Sequence, residues 1–165
     1  MRIPPAEDRE RAVCAHCGFI DYRNPKLVVG SVVERSGRIL LCRRAIEPRK
    51  GFWTLPAGYL ELGETAEEGA VREAAEEAAA HISIDRLLAV YSVSRIGQVQ
   101  IIYRAELRDD IIAPGPESLE VRLFAWDDIP WPDIAFPTVH WALRHHRESR
   151  DRSDFPPYSN PIEGL

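Results

Sequence analysis

Cysteine is scarce in this chain: Cys14, Cys17 and Cys42 are all there is in 165 residues. An odd count this small cannot build a disulfide framework and suits a reducing compartment. Long apolar runs are missing too. No stretch approaches the roughly 18 apolar residues that would span a bilayer, and the N-terminal MRIPPAEDRERAV lacks the apolar core of a signal peptide. A cytoplasmic protein that does not enter a membrane is therefore expected. Positive charge is also short, with 21 Lys and Arg against 26 Asp and Glu and a net charge of -5. That balance argues against nucleic acid as a partner held by bulk electrostatics, and against an RNA-decapping role, which needs a basic groove. Repeats and low-complexity tracts are absent. The remaining composition, 45% hydrophobic and 28% charged, fits one globular domain with a sizeable core.

Against these absences, one stretch is rich in information. Residues 58–80 read GYLELGETAEEGAVREAAEEAAA. Thr65 can cap a helix and Glu68, three residues on, can complete a capping box, so a helix should start at about Ala66. At about 100° per residue, Val71, Ala74, Ala75 and Ala78 share one face, predicted to pack on a sheet. Glu73, Glu76 and Glu77 gather on the other, facing solvent or a cleft. Three like charges at such spacing repel unless a cation sits among them, and a hard divalent ion prefers this kind of oxygen cluster. The same glutamates could simply form a solvated acidic face; the rest of the stretch weighs against that.

Gly58, Glu64, Arg72-Glu73 and Glu76-Glu77 follow the spacing G-x5-E-x7-R-E-U-x-E-E-x-G-U, with Ala74 and Ala80 at the apolar U positions. This pattern resembles the signature of the Nudix hydrolases. One position departs from it, Ala79 standing where the family has glycine. A helix that ends there in a left-handed alanine carries a cost of about 1 kcal/mol; otherwise the helix continues through Ala80 towards His81, whose partial charge would suit the C-terminal dipole.

Upstream, Cys14-Ala15-His16-Cys17-Gly18 has the shape of a zinc knuckle, two thiolates on a tight turn. It is half of a four-ligand set, open to being metal-free, redox-active or completed by another chain. The run CGFIDYRNPKLVVGSVV resembles the Nudix subgroup with an N-terminal zinc ribbon, in which a first knuckle precedes the position of Met1 here. Lys26–Glu34 and Arg38–Arg43 read as a hairpin about Ser36-Gly37, with Cys42 turned into the core. Phe52–Ala57 reads as a short strand delivering the chain to Gly58. Ile82–Val93, Gln98–Leu107 and Leu119–Trp126 read as further strands, with a loop over 108–118 broken by Pro114-Gly115-Pro116. Pro137 should open a helix that runs to about Glu148, carrying His140, His145 and His146 as surface residues. The domain plan is a tail with half a ribbon knuckle over 1–25, a Nudix domain over 26–150 and a Pro-rich tail over 151–165. The fold class is α/β, and the resemblance implies an α/β/α sandwich around a mixed sheet.

The resemblance also implies the chemistry, divalent-metal-dependent hydrolysis of the diphosphate bond in a nucleoside diphosphate linked to another moiety. Magnesium or manganese would bind Glu73, Glu76, Glu77 and the Ala57 backbone carbonyl, and zinc would bind Cys14 and Cys17. Arg72 is read as a fork for a carboxylate, with Glu64 its partner by resemblance. By resemblance the general base comes either from the helix that starts at about Ala66 or from a later loop, where Glu117 and Glu120 are the candidates. Arg43 and Arg44, at a strand end, are candidate phosphate contacts. The ADP-ribose, dinucleoside-polyphosphate and NADH marker patterns of the family are missing around Ser94–Gly97. Members of the ribbon subgroup cleave FAD and ADP-ribose, so these two lead. A small-molecule nucleotide is thus the expected partner, with a homodimer as the family often forms. A catalytically silent ligand sensor or protein-binding module is the alternative, and the retained glutamates weigh against it.

Overall fold

The chain builds its sheet around one hairpin whose two strands part company. In the computed structural model, which describes residues 1–162, a small antiparallel pair comes first, β1 (Ala12–Val13) with β2 (Ile20–Asp21). Strands β3 (Lys26–Arg35) and β4 (Arg38–Arg44) then pair only at Glu34↔Ile39 and Arg35↔Arg38. Beyond that turn each takes other partners. β4 pairs with β5 (Trp53–Thr54) and with β9 (Ser118–Ala125), while β3 pairs with β6 (Ala57–Tyr59) and, in parallel, with β8 (Gln98–Leu107). Strand β7 (Ile82–Val93) completes the edge beside β8, so the sheet of seven is mixed, as expected.

The single strand expected over Phe52–Ala57 is in fact two, β5 and β6, broken at Leu55-Pro56. Proline lacks the N–H that a continuous ladder needs. Its carbonyl still accepts from the Ser31 N–H at 3.2 Å, and the chain passes there from β4 to β3 as its partner. Gly30 makes this crossing feasible: a β-carbon there would collide with that of Ala57.

Helix α1 (Ala66–Ala78) covers one face of the sheet and helix α2 (Pro137–Ser149) the other, which is the sandwich anticipated. Alternation along the strands divides the core. Val33, Leu40 and Cys42 meet Ala74 and Ala78 of α1, whereas Val32, Ile39 and Leu41 share a cluster with Val139, Ala142 and Leu143 of α2. The capping box at Thr65 and Glu68 is formed in both directions, at 3.2 and 2.7 Å.

Helix α1 turns out differently from the sequence reading in which arc it buries. Gly69, Ala70, Glu73, Ala74, Glu77 and Ala78 are buried, while Val71 and Ala75 are exposed. The smallest side chains lie along the line of closest approach to the sheet. The contact arc therefore runs from Gly69 through Glu73 and Glu77 to Ala78, and by helix pitch Val71 and Ala75 fall beyond its edge.

Helix α1 ends at Ala78, and Ala79 adopts the left-handed conformation at φ 49°, ψ 26°. Of the two readings, continuation towards His81 is thus not taken; His81 Nδ1 instead lies 3.0 Å from Asp109 Oδ2.

The histidines of α2 are not uniformly at the surface. His146 is buried, with Nε2 2.8 Å from Glu34 Oε2, and His145 Nδ1 lies 2.7 Å from the Tyr91 hydroxyl. The Pro-rich tail runs along β7, where Tyr158 exchanges backbone bonds with Leu88 and Val90, each at 2.9 Å. Residues 163–165 of that tail lie outside the described residues. Among the described residues no helix is long and apolar enough to cross a membrane.

Candidate active site

Where β6 meets helix α1, carboxylates crowd together. Glu77 is 7% exposed, and its Oε2 accepts the Ala57 N–H at 3.1 Å. Burial pushes its carboxyl up to about 7, with the neighbouring charges of Glu73 and Glu117 adding to the effect. Glu73, 8% exposed, lies against Gly58 and is also raised, again chiefly by burial, though Arg72 partly counters it. Glu76 is exposed on the next turn.

Arg72 organises this group. Its Nε and Nη2 fork onto Glu64 at 3.0 and 2.8 Å, Nη2 also donates to the Tyr59 carbonyl at 3.0 Å, and Nη1 reaches Glu73 at 2.7 Å and Glu76 at 3.0 Å. Such bidentate geometry is specific to a guanidinium. Glu64 takes a further bond from the Glu61 N–H at 2.8 Å, and Arg72 together with that amide holds its carboxyl down at about 2.

The other candidates fall around this centre. Glu117 lies close enough for its charge to act on both Glu73 and Glu77. Glu120 faces elsewhere: it sits opposite Arg43 on the neighbouring strand, with an ion pair of 3.8 Å. Arg43 Nε and Arg44 Nε each hold the 45–51 loop, on the Gly51 and Pro48 carbonyls at 2.9 Å. Of the two arginines, it is the charge of Arg44 that acts on Glu77. Cys14 and Cys17 are exposed on the β1–β2 turn, where the backbone amides of Cys17 and His16 hold the Cys14 thiol below its usual range.

Two features of the site escaped the sequence reading. Gly30 could have been suspected, because a lone glycine inside the β-branched run KLVVGSVVE signals close backbone approach. Gly115, within the Pro114-Gly115-Pro116 breaker, packs against the last turn of α1.

The chemistry of the donors suits a hard divalent cation: three carboxylates, two of them raised by burial and one bonded to the Ala57 N–H. Among the described residues no three acidic, His or Cys side chains converge to hold an ion, and Arg72 spans Glu73 and Glu76. At Cys14 and Cys17 the two thiols fit half of a tetrahedral zinc site.

A family model described as NUDIX domain matches residues 24–143, and a second, described as Nudix N-terminal and named for a zinc ribbon, matches residues 1–23. The chain belongs to the Nudix hydrolase family. A crystal structure of a Nudix hydrolase from Nitrosomonas europaea is 46% identical with a TM-score of 0.90, over 96% of this chain and 90% of that one. An ADP-ribose pyrophosphatase of Methanocaldococcus jannaschii is 32% identical over 113 residues, 66% of this chain and 67% of the relative. An NAD-capped RNA hydrolase, NudC, of Salmonella heidelberg is 27% identical over 76% of this chain. This Nudix chain spans about half of that relative's length, 49%.

Proposed function

We propose that this Nudix protein hydrolyses the diphosphate bond of a nucleoside diphosphate joined to a second moiety, with ADP-ribose or FAD as the favoured substrate. The observation that carries the reading is the buried pair Glu73 and Glu77, kept beside Glu76 by the Arg72 fork and beside Ala57 by its amide. Buried carboxylates kept side by side make sense as part of a cation site, and a diphosphate is the substrate whose charge needs one. Glu73, Glu76, Glu77 and the Ala57 carbonyl would hold Mg2+ or Mn2+. When bound there, the cation supplies charge screening of the phosphates and acidifies a coordinated water.

Arg72 and Glu64 act through the other carboxylates by fixing their positions. Glu117 is the better placed of the two loop glutamates to take a proton from the attacking water, and Arg44 the better placed arginine for a phosphate oxygen. Water adds to one phosphorus, the P–O–P bond breaks, and two phosphomonoesters leave, the released proton passing to the base. The half-knuckle of Cys14 and Cys17 would bind zinc away from this chemistry.

The test is phosphate release coupled to a phosphatase, with Mg2+, across ADP-ribose, FAD, NADH, diadenosine polyphosphates and nucleoside triphosphates, run beside Glu77→Gln. Turnover of one compound, lost by about 10²-fold or more in the variant, is expected. No turnover of any, with Mn2+ tried as well, would favour the ligand-sensing or protein-binding alternative.

A further inference from the structure

The loop from Ala113 to Ser118 is fastened to the end of helix α1. The Ala113 and Gly115 N–H groups donate to the Ala78 and Glu77 carbonyls at 2.9 and 3.0 Å. These are carbonyls that a helix end leaves without an intrahelical partner. Gly115 lies so close that a β-carbon on it would collide with the Glu76 carbonyl oxygen, 2.9 Å from the carbonyl carbon and 3.3 Å from the Glu77 α-carbon. Every atom in that contact is backbone, so no rotamer can relieve it. On the far side, the Glu117 carbonyl accepts from the Ala45 N–H at 2.8 Å, and the Ser118 N–H closes a turn onto the Gly115 carbonyl at 3.0 Å. Glu117 is thus strung between the helix turn that bears Glu76 and Glu77 and the residue that follows Arg44.

We propose that Gly115 is a positioning residue: its missing β-carbon sets how closely the Ala113–Ser118 loop seats on helix α1, and so where the Glu117 carboxylate stands relative to Glu73 and Glu77. The proposal deepens the hydrolase reading and, for its kinetic part, rests on it. An alanine at position 115 must push the loop off the helix, carrying Glu117 with it. A misplacement of about 1 Å is enough to cost roughly 10²-fold in rate. The charge of Glu117 also contributes to the attraction of the cluster for a cation, so its displacement is readable without any turnover.

A double-variant cycle on the whole chain tests this, with Gly115→Ala, Glu117→Gln and both together. It is read by Mn2+ affinity in calorimetry and by kcat and KM on the compound turned over. Each single variant is expected to weaken Mn2+ binding by about tenfold and to lower kcat with KM little changed. The double variant should be no worse than Glu117→Gln alone, because a positioning residue has nothing left to position. The idea is overturned if Gly115→Ala costs the same factor with and without Glu117, or if either single variant keeps wild-type Mn2+ affinity and kcat. Should Gly115→Ala not fold by circular dichroism, Pro116→Gly loosens the loop without adding an atom. The same non-additivity with Glu117→Gln is then expected, and additivity overturns the proposal. Wild-type protein that binds Mn2+ but hydrolyses nothing would remove the hydrolase reading and leave the metal arm of the cycle to decide the role of Gly115.

Discussion

The Glu73 carboxylate lies against the α-carbon of Gly58, where a β-carbon would collide with both of its oxygens. The glycine leaves room for that carboxylate between strand β6 and helix α1, and a β-carbon there would have to move the Glu73 side-chain end aside. Gly58→Ala should therefore displace Glu73 while leaving the helix formed. Mn2+ affinity is expected to fall by about 10-fold to 100-fold, with an unchanged circular dichroism spectrum; wild-type affinity in the variant would contradict the packing.

Arg72→Lys tests the fork. A lysine is a point charge and cannot span Glu64, Glu73, Glu76 and the Tyr59 carbonyl together. The substitution should cost about 2 kcal/mol in urea unfolding, from the loss of charge-assisted hydrogen bonds, and lower kcat by about tenfold or more. A variant as active as the wild type would show that Arg72 does not organise the site.

Glu77 should make the metal-free protein less stable as pH rises, against His140, His145 and His146, whose burial lowers their pKa and favours folding at higher pH. Glu77 titrates at about 7 in the folded chain against an ordinary 4.5, so the folded state favours the protonated form. That contribution is full below about 4.5 and is lost as pH rises through about 7, a change on the order of 3 kcal/mol. Glu73, raised in the same sense, adds to it. Glu64 acts in a separate window: its stabilising pairing is present above about 4.5 and is lost as pH falls through about 2. In urea unfolding with a chelator, the midpoint at pH 8 relative to pH 5 should be higher in Glu77→Gln than in the wild type, because the variant keeps the histidine contribution and loses that of Glu77. The same pH 5 to pH 8 change in both proteins would assign the effect elsewhere.

Ala79→Gly should stabilise the fold without touching activity. Alanine in the left-handed region costs about 1 to 2 kcal/mol, whereas the glycine adds about 0.4 to 1 kcal/mol of unfolded-state entropy. The net gain of about 0.5 to 1 kcal/mol corresponds to a rise of roughly 2 °C in Tm for a domain of this size. A lower Tm would mean that the left-handed turn at Ala79 carries little strain.

Much of this was legible in the residues before any fold was seen. The spacing from Gly58 to Ala80 identified the family, Thr65 and Glu68 marked the helix start, and alternation marked the long strands. Each of these is a local pattern, set by helix pitch, capping geometry or the two-residue strand repeat. The Arg72–Glu64 pairing too was reachable, through the resemblance, because both residues belong to one continuous motif.

Tertiary structure decided the rest. Helix pitch fixes the angles between Glu73, Glu76 and Glu77 but not where the sheet's contact line falls, and that line buries two of the three and raises their carboxyls. Strand register also turned Glu120 towards Arg43, while the docked loop left Glu117 where its charge acts on Glu73 and Glu77. The contact of Gly115 with the end of α1 joins residues nearly forty positions apart. No local pattern encodes such a contact; it exists only once β9 has paired with β4 and brought the loop onto the helix.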